Sequence, residues 1–117
     1  MNYCLRKLSI IIPAYNEGKT IHQILNKLKK VSLINAVEKE IIIVNDYSTD
    51  NTEEAVLNYI TNNSELNIQY FKHTVNKGKG AALHTGIQKA TGEYLIIQDA
   101  DLEYDPEEYN LLIKTRD

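Results

Sequence analysis

One cysteine, Cys4, occurs in 117 residues, and tryptophan does not occur at all. A lone thiol excludes an internal disulfide and any cysteine-based zinc site, and it fits a reducing compartment such as the cytoplasm. Long apolar runs are also missing, since none approaches the ~20 residues that a bilayer-spanning helix needs. The short run at residues 8–12 gives way to Pro13, Asn16 and Glu17 too early for a signal-peptide core. Positive charge is in deficit: 13 Lys and Arg stand against 16 Asp and Glu, and the net charge of −3 argues against a surface devoted to nucleic-acid phosphates. Two prolines and five glycines leave no linker, and no repeat or low-complexity tract is present. With 43% hydrophobic and 25% charged residues, disorder is excluded as well. A single domain, 1–117, is the economical reading at this length.

The hydrophobic residues that are present come in two kinds of pattern. Residues 8–12 and 41–44 are compact β-branched or aliphatic runs, read as strands buried on both faces. Residues 68–71 and 94–97 predict two further strands. Between them, Ile21, Ile24, Leu25, Leu28 and Val31 recur at spacings of three and four, which predicts a helix with one apolar face. Ala55, Val56, Tyr59 and Ile60 predict a second helix, with Asp50 and Glu53 as its capping box. Ala81, Ala82, Leu83, Ile87 and Ala90 predict a third, with Gly92 as its C′ residue. Asp105 and Pro106 read as the N-cap and N1 of a fourth. The order β-α-β-α-β-α-β-α implies an α/β fold of three layers, a mainly parallel sheet with helices on both faces. Ligands of such sheets bind beyond the carboxyl ends of the strands. That directs attention to residues 13–19, 45–51, 74–80 and 99–105.

Carboxylates cluster in the last of these segments, where Asp99-Ala100-Asp101 is followed by Glu103 and Asp105. Closely spaced carboxylates repel one another unless a cation or hydrogen-bond donors offset the charge, and a hard divalent ion such as Mg²⁺ or Mn²⁺ would do so. The bland alternative is an acidic turn and helix cap, which accounts for Asp105 better than for Asp99. Lys72, His73, Lys77 and Lys79 form a small basic cluster, read as solvated surface loop unless a phosphate recruits it. None of His22, His73 and His84 stands out as a general base, and each reads as an ordinary surface or helix residue.

Four motifs together carry a resemblance: Pro13-Ala14-Tyr15-Asn16-Glu17, Asn45-Asp46-Tyr47-Ser48-Thr49-Asp50, Gly78-Lys79-Gly80 and Asp99-Ala100-Asp101. In this order and spacing they resemble the N-terminal region of family 2 glycosyltransferases of GT-A fold, and most of all the polyprenyl- and dolichyl-phosphate hexosyltransferase branch. The resemblance runs from Leu8 to about Lys114. It implies the Rossmann-like, nucleotide-sugar-binding half of a catalytic domain, apparently truncated, from an enzyme that transfers a hexose with inversion from a UDP- or GDP-sugar. The implied acceptor is a lipid phosphate or a glycan, with a place in cell-envelope polysaccharide synthesis at the inner face of the membrane. By the same resemblance Pro13, Tyr15 and Glu17 line the base and ribose pocket, and Asp46 bonds the base. Lys79 approaches the diphosphate, Asp99 and Ala100 lie against the nucleotide sugar, and Asp99, Asp101 and Glu103 hold Mg²⁺ or Mn²⁺. No catalytic base is assigned within the chain.

One departure from the family pattern is specific. The second loop usually reads Asp-Asp-Gly-Ser, whereas here it is Asn45-Asp46-Tyr47-Ser48, and Tyr47 would resist the positive φ that glycine permits. Rival readings fare worse on the residues. Residues 13–20 end in Gly18-Lys19-Thr20 like a P-loop, but Pro13 stands where the first glycine belongs and Glu17 would face the phosphates. A dinucleotide fold would place its glycine fingerprint after the first strand, and a receiver-like domain would place its acidic residues after strands one and three. A non-catalytic nucleotide-binding module stays open as an alternative. A truncated sheet edge would also expose apolar surface, which implies self-association.

Overall fold

The computed structural model describes residues 7–30 and 38–98. Four strands, β1 (Lys7–Ala14), β2 (Glu38–Asn45), β3 (Ile68–Lys72) and β4 (Tyr94–Ile97), alternate with α1 (Ile21–Lys30), α2 (Thr52–Asn62) and α3 (Lys79–Lys89). All strand pairs are parallel and the order is β3-β2-β1-β4. The two aliphatic runs, the first broken only by Ser9, occupy the centre, where a strand buries both faces, and Ile10, Ile11, Ile12, Ile42, Ile43 and Val44 have no exposed surface. Val31 and the predicted fourth helix at Asp105 and Pro106 lie outside the described residues.

Alternation along β1 and β2 divides the core between two helical layers. Ile10 is in register with Ile41 and Ile12 with Ile43. These side chains meet Ile21, Ile24, Leu25 and Leu28 of α1 and Val56 and Tyr59 of α2. On the other face Ile42 and Val44 pack against Ala82 of α3, with Phe71 beside them. A ten-residue helix such as α1 is too short to persist alone in water. Its four buried aliphatic side chains, each contributing about 1.5–3 kcal/mol on burial, hold it in place. The winding proceeds from β1 outward to β3, then returns under the sheet through α3 to place β4 on the far side of β1. That reversal puts a switch point between β1 and β4, where parallel sheets open a crevice at the carboxyl edge.

Two local expectations are corrected. Glu53 does not close a capping box with Asp50: its carboxylate accepts from Lys72 Nζ at 3.1 Å and from the Tyr70 hydroxyl at 3.2 Å. Asp50 bonds the backbone N–H of Thr52 instead, and the N-cap residue of α2 is Asn51. Gly92 is not the left-handed C′ residue of α3, whose last residue is Lys89 and whose cap, Ala90, is already extended. Its lack of a side chain serves close approach, because a Cβ there would lie 2.6 Å from Ser9 Oγ and 2.7 Å from the Lys7 carbonyl.

The amino edge of the sheet is tied by a buried carboxylate. Glu40, 1% exposed, accepts from Ser9 Oγ (2.7 Å), the Thr91 N–H (3.0 Å), Thr91 Oγ1 (3.0 Å) and Gln69 Nε2 (2.9 Å). These donors come from β1, β3 and the turn after α3, so one side chain of β2 joins three other segments. Burial alone would raise the Glu40 carboxyl, but the bonds from Thr91 and Ser9 and the charge of Lys7 bring it below its ordinary value. On the edge strand β4, Leu95 and Ile97 remain about half exposed.

Gly86 sets how closely α3 approaches the sheet. A Cβ at this position would lie 2.4 Å from Cγ2 of Ile11, a side chain with no exposed surface and no room to retreat. Alanine is the better helix former by about 1 kcal/mol. Even so, Gly86→Ala is expected to destabilise the fold by about 1–3 kcal/mol, the usual cost of overpacking a closed core. Urea denaturation of the two proteins checks the sign, and a stabilised variant would show that α3 does not rest on β1 in this way.

Candidate functional site

Three loops meet at the carboxyl edge of the sheet, and the sequence supplies each with side chains that bond its neighbours. Asn16, at φ 56°, has the left-handed conformation that asparagine tolerates. Its N–H donates to Ser48 Oγ at 2.9 Å, and its side-chain oxygen accepts from the Thr49 N–H at 2.8 Å and the Asp50 N–H at 3.3 Å. Next in line, the Glu17 N–H donates to Thr52 Oγ1 (2.9 Å) and the Gly18 N–H to Asp50 Oδ2 (3.1 Å). The loop after β1 is thereby latched along its length to the loop after β2.

Asp46 ties in the third loop. Its side chain is buried, and its two oxygens accept three donors: His73 Nδ1 at 2.8 Å, the Lys77 N–H at 2.8 Å and the Gly78 N–H at 2.7 Å. Its own N–H donates to the Ala14 carbonyl at 2.9 Å, and its carbonyl accepts from Asn76 Nδ2 at 3.3 Å. A carboxylate offers about four lone-pair positions, so one is left for a further donor. Burial pushes the Asp46 carboxyl up, but the Lys77 and Gly78 N–H groups and His73 hold it below the ordinary value. Gly78, at φ 95° and ψ 163°, stands in a region open only to glycine, and this is what lets its N–H turn back to Asp46 just before α3 begins.

His73 is therefore not the surface residue that its place among lysines implied. It is 7% exposed, with Nδ1 on Asp46 and Nε2 2.8 Å from Thr85 Oγ1 of α3. Local sequence carries no trace of this, because its partners lie 27 and 12 residues away. His22 and His84 are exposed.

The departure at residues 45–47 has a physical account. Asn45 uses both ends of its amide: Oδ1 accepts from the Ser48 N–H (2.9 Å) and Ser48 Oγ (2.6 Å), while Nδ2 donates to the Tyr70 hydroxyl (2.9 Å). An aspartate could accept but not donate. Tyr47 takes φ 59° despite its side chain, at a cost of about 1–3 kcal/mol, and the bonds on either side enforce it. Its ring is half exposed, with the Lys72 ammonium 5.9 Å from its centroid.

The site residues read from sequence divide into two groups. Pro13, next to last in β1, is half-buried, Tyr15 is exposed, Glu17 is half-buried beside the latch with Oε1 accepting from Thr20 Oγ1 at 3.1 Å, and Lys79 opens α3 on the exposed side. Together with Asp46 these stand on three adjoining loops. Asp99, Ala100, Asp101 and Glu103 lie outside the described residues; the last described residue, Gln98, donates its N–H to the Ile11 carbonyl at 2.9 Å. Among the described residues no group of three His, Cys, Asp or Glu side chains could hold a metal ion.

Known proteins share this sequence pattern and this arrangement of strands and loops. The family model "Glycosyl transferase family 2" matches residues 9–115. The chain belongs to glycosyl transferase family 2. A dolichyl-phosphate beta-glucosyltransferase of Trichomonas vaginalis is 41% identical over 100 residues, covering 80% of this chain and 30% of its own length. Among solved structures, a mannosyltransferase from Pyrobaculum calidifontis in complex with GDP-Man and Mn²⁺ superposes with a TM-score of 0.79 at 28% identity, over 90% of this chain and 30% of that one. S. aureus TarS in complex with UDP gives 0.78 at 29% identity, over 92% and 31%. This family 2 domain thus has the GT-A-like three-layer architecture, and it spans about a fifth to a third of the length of the curated relatives it matches.

The carboxylate latches make the carboxyl edge acid-sensitive. The Asp46 and Asp50 carboxyls both sit below their ordinary value of 3.8, so the unfolded chain takes up protons first and the stability they confer is full above that value and lost as pH falls through the folded one. Denaturation midpoints should be level from neutrality to about pH 5 and then decline. Asp46→Asn should cost about 1–3 kcal/mol at neutral pH and flatten part of that decline. An unchanged acid slope in the variant would remove Asp46 from the account.

Proposed function

We propose that this domain binds a nucleoside diphosphate sugar, UDP- or GDP-linked, at the carboxyl edge of its sheet, as the donor half of an inverting hexosyltransferase. The observation that carries the reading is the clamp on Asp46. It joins the loops after β2 and β3, and together with the Asn16 latch to the loop after β1 it forms one rim on which Tyr15 and Tyr47 are exposed and Lys77 and Lys79 flank the start of α3. In this reading Pro13, Tyr15 and Glu17 line the base and ribose pocket, with Asp46 offering its remaining lone pair to the base. Lys79 stands near the diphosphate, at a helix start where partial positive charge favours anions.

A divalent cation fits the chemistry of the residues that would hold it. Asp99, Asp101 and Glu103 are all hard oxygen donors, suited to Mg²⁺ or Mn²⁺ and unsuited to softer ions, with Ala100 beside the nucleotide sugar. When bound, the ion supplies neutralisation of the charge that develops on the departing diphosphate. The relatives support the family branch: one is named for a dolichyl-phosphate acceptor, and a neighbouring structure holds GDP-Man with Mn²⁺. A polyprenyl phosphate is accordingly the acceptor proposed for the whole protein, with the domain working on the cytoplasmic side of a membrane. Among the described residues no helix is long and apolar enough to cross one.

Calorimetric titration with UDP, GDP, UDP-glucose and GDP-mannose, with Mn²⁺ and with chelator, tests this. Metal-dependent binding of one nucleotide is expected, weakened at least about tenfold, or roughly 1.4 kcal/mol, by Asp101→Asn. Binding that is indifferent to both metal and substitution would contradict the assignment of the carboxylates, and absence of binding by every nucleotide would contradict the donor site.

A further inference from the structure

Between the rim and the helix behind it runs a line of three side chains, with Asp46 at the end of β2, His73 at the end of β3 and Thr85 in the middle of α3. Donor binding as described above gives the second and third of them nothing to do. The distances are 2.8 Å from Asp46 Oδ1 to His73 Nδ1 and 2.8 Å from His73 Nε2 to Thr85 Oγ1. Asp46 and His73 are both buried. An ionised carboxylate only accepts, so Nδ1 carries the hydrogen toward Asp46. The Thr85 hydroxyl can donate to Nε2 or accept from it, and the line survives in either state of the ring.

Rigidity enters this line from one end. Thr85 adjoins Gly86, whose missing side chain seats α3 directly on Ile11 of the central strand, so the hydroxyl is a fixed post rather than a mobile surface group. The opposite end is the carboxylate that holds the N–H groups of Lys77 and Gly78. Oδ1 of Asp46 would lose one of its two donors if the ring behind it were free to turn, and burial keeps water from replacing that donor.

We propose that His73, braced by Thr85, is a positioning residue of the nucleoside diphosphate site: it aims the Asp46 carboxylate and, through it, holds the loop at residues 74–78 against the loop at residues 46–51. The base end and the diphosphate end of the donor are then bound by one pre-formed unit. This rests on the donor-site reading above, and it assigns His73 and Thr85 a part in affinity although neither touches the nucleotide.

The test compares affinity with stability in five proteins: the parent chain, His73→Leu, His73→Asn, Thr85→Val and Thr85→Ser. Each is titrated with UDP and GDP in the presence of Mn²⁺, at a temperature where melting curves show it folded. His73→Leu should weaken binding of the nucleotide that the parent prefers by about tenfold or more. His73→Asn keeps a donor near the Nδ1 position and should recover most of that loss. Thr85→Val should weaken binding about threefold to tenfold, whereas Thr85→Ser binds like the parent. If the parent binds and every folded variant matches its affinity, the positioning role is overturned and the donor site stands. Melting temperatures that fall without any change in affinity count as the same result, since they mark a purely structural part. A parent chain that binds neither nucleotide overturns both readings. Should His73→Leu fail to fold, the Thr85→Val and Thr85→Ser pair decides by the same criteria.

Discussion

A buried carboxylate must find donors, and the way Asp46 finds them determines the shape of the carboxyl edge. Burial keeps solvent from repairing a missing bond, and an unsatisfied buried charge would cost more than any single loop contact contributes. The donors come from the third loop, as two successive backbone N–H groups, and from His73. For the N–H of Gly78 to point back, the chain must take a conformation reserved for glycine. For His73 to face inward, β3 must end where it does, with the His73 N–H on the Asn45 carbonyl at 2.9 Å. Loop, strand end and helix start are consequences of one neutralisation problem.

Glu40 solves the same problem at the opposite edge with a different set of donors. Its four bonds come from side chains and backbone of β1, β3 and the turn before β4, none of them formally charged. The sheet is thus pinned at both ends by buried carboxylates and filled between them by isoleucine. The central packing is generic, as any β-branched pair of the right size would serve. The pins are specific, and they fix the heights at which the loops emerge. The donor site proposed above lies at the end where the pin gathers loops rather than strands.

Much of this is legible in the sequence. The runs at 8–12 and 41–44 announce central strands, because the consecutive β-branched residues at 10–12 and 41–44 suit a strand buried on both faces. Spacing of three and four announces α1, and three of the four polar motifs fall where the structure brings its loops together at the carboxyl edge. Where sequence and structure part, the cause is shared. Local rules make Glu53 a cap, Gly92 a helix terminator and His73 a surface residue, yet each answers to a partner far away in the chain. Glu53 turns to Tyr70 and Lys72 of β3, Gly92 makes room for Ser9 and Lys7, and His73 bridges Asp46 and Thr85. Tyr47 is the inverse case, since its side chain marks it as an awkward residue for a positive φ, and the structure shows the awkward conformation imposed by Asn45, Ser48 and Asn16. Local rules yield where contacts distant in sequence outweigh them, at the carboxyl edge for His73 and Tyr47 and at the amino edge for Gly92.

The central claim is that the rim is assembled before any ligand arrives, with the Lys77 and Gly78 N–H groups held by a buried carboxylate. Native-state amide hydrogen exchange on the free chain measures this directly. The account predicts that these two loop amides exchange slowly, at rates close to those of the amides in the central strands, and that Asp46→Asn releases them first. Exchange as fast as that of an open, solvated loop in the parent chain would contradict it.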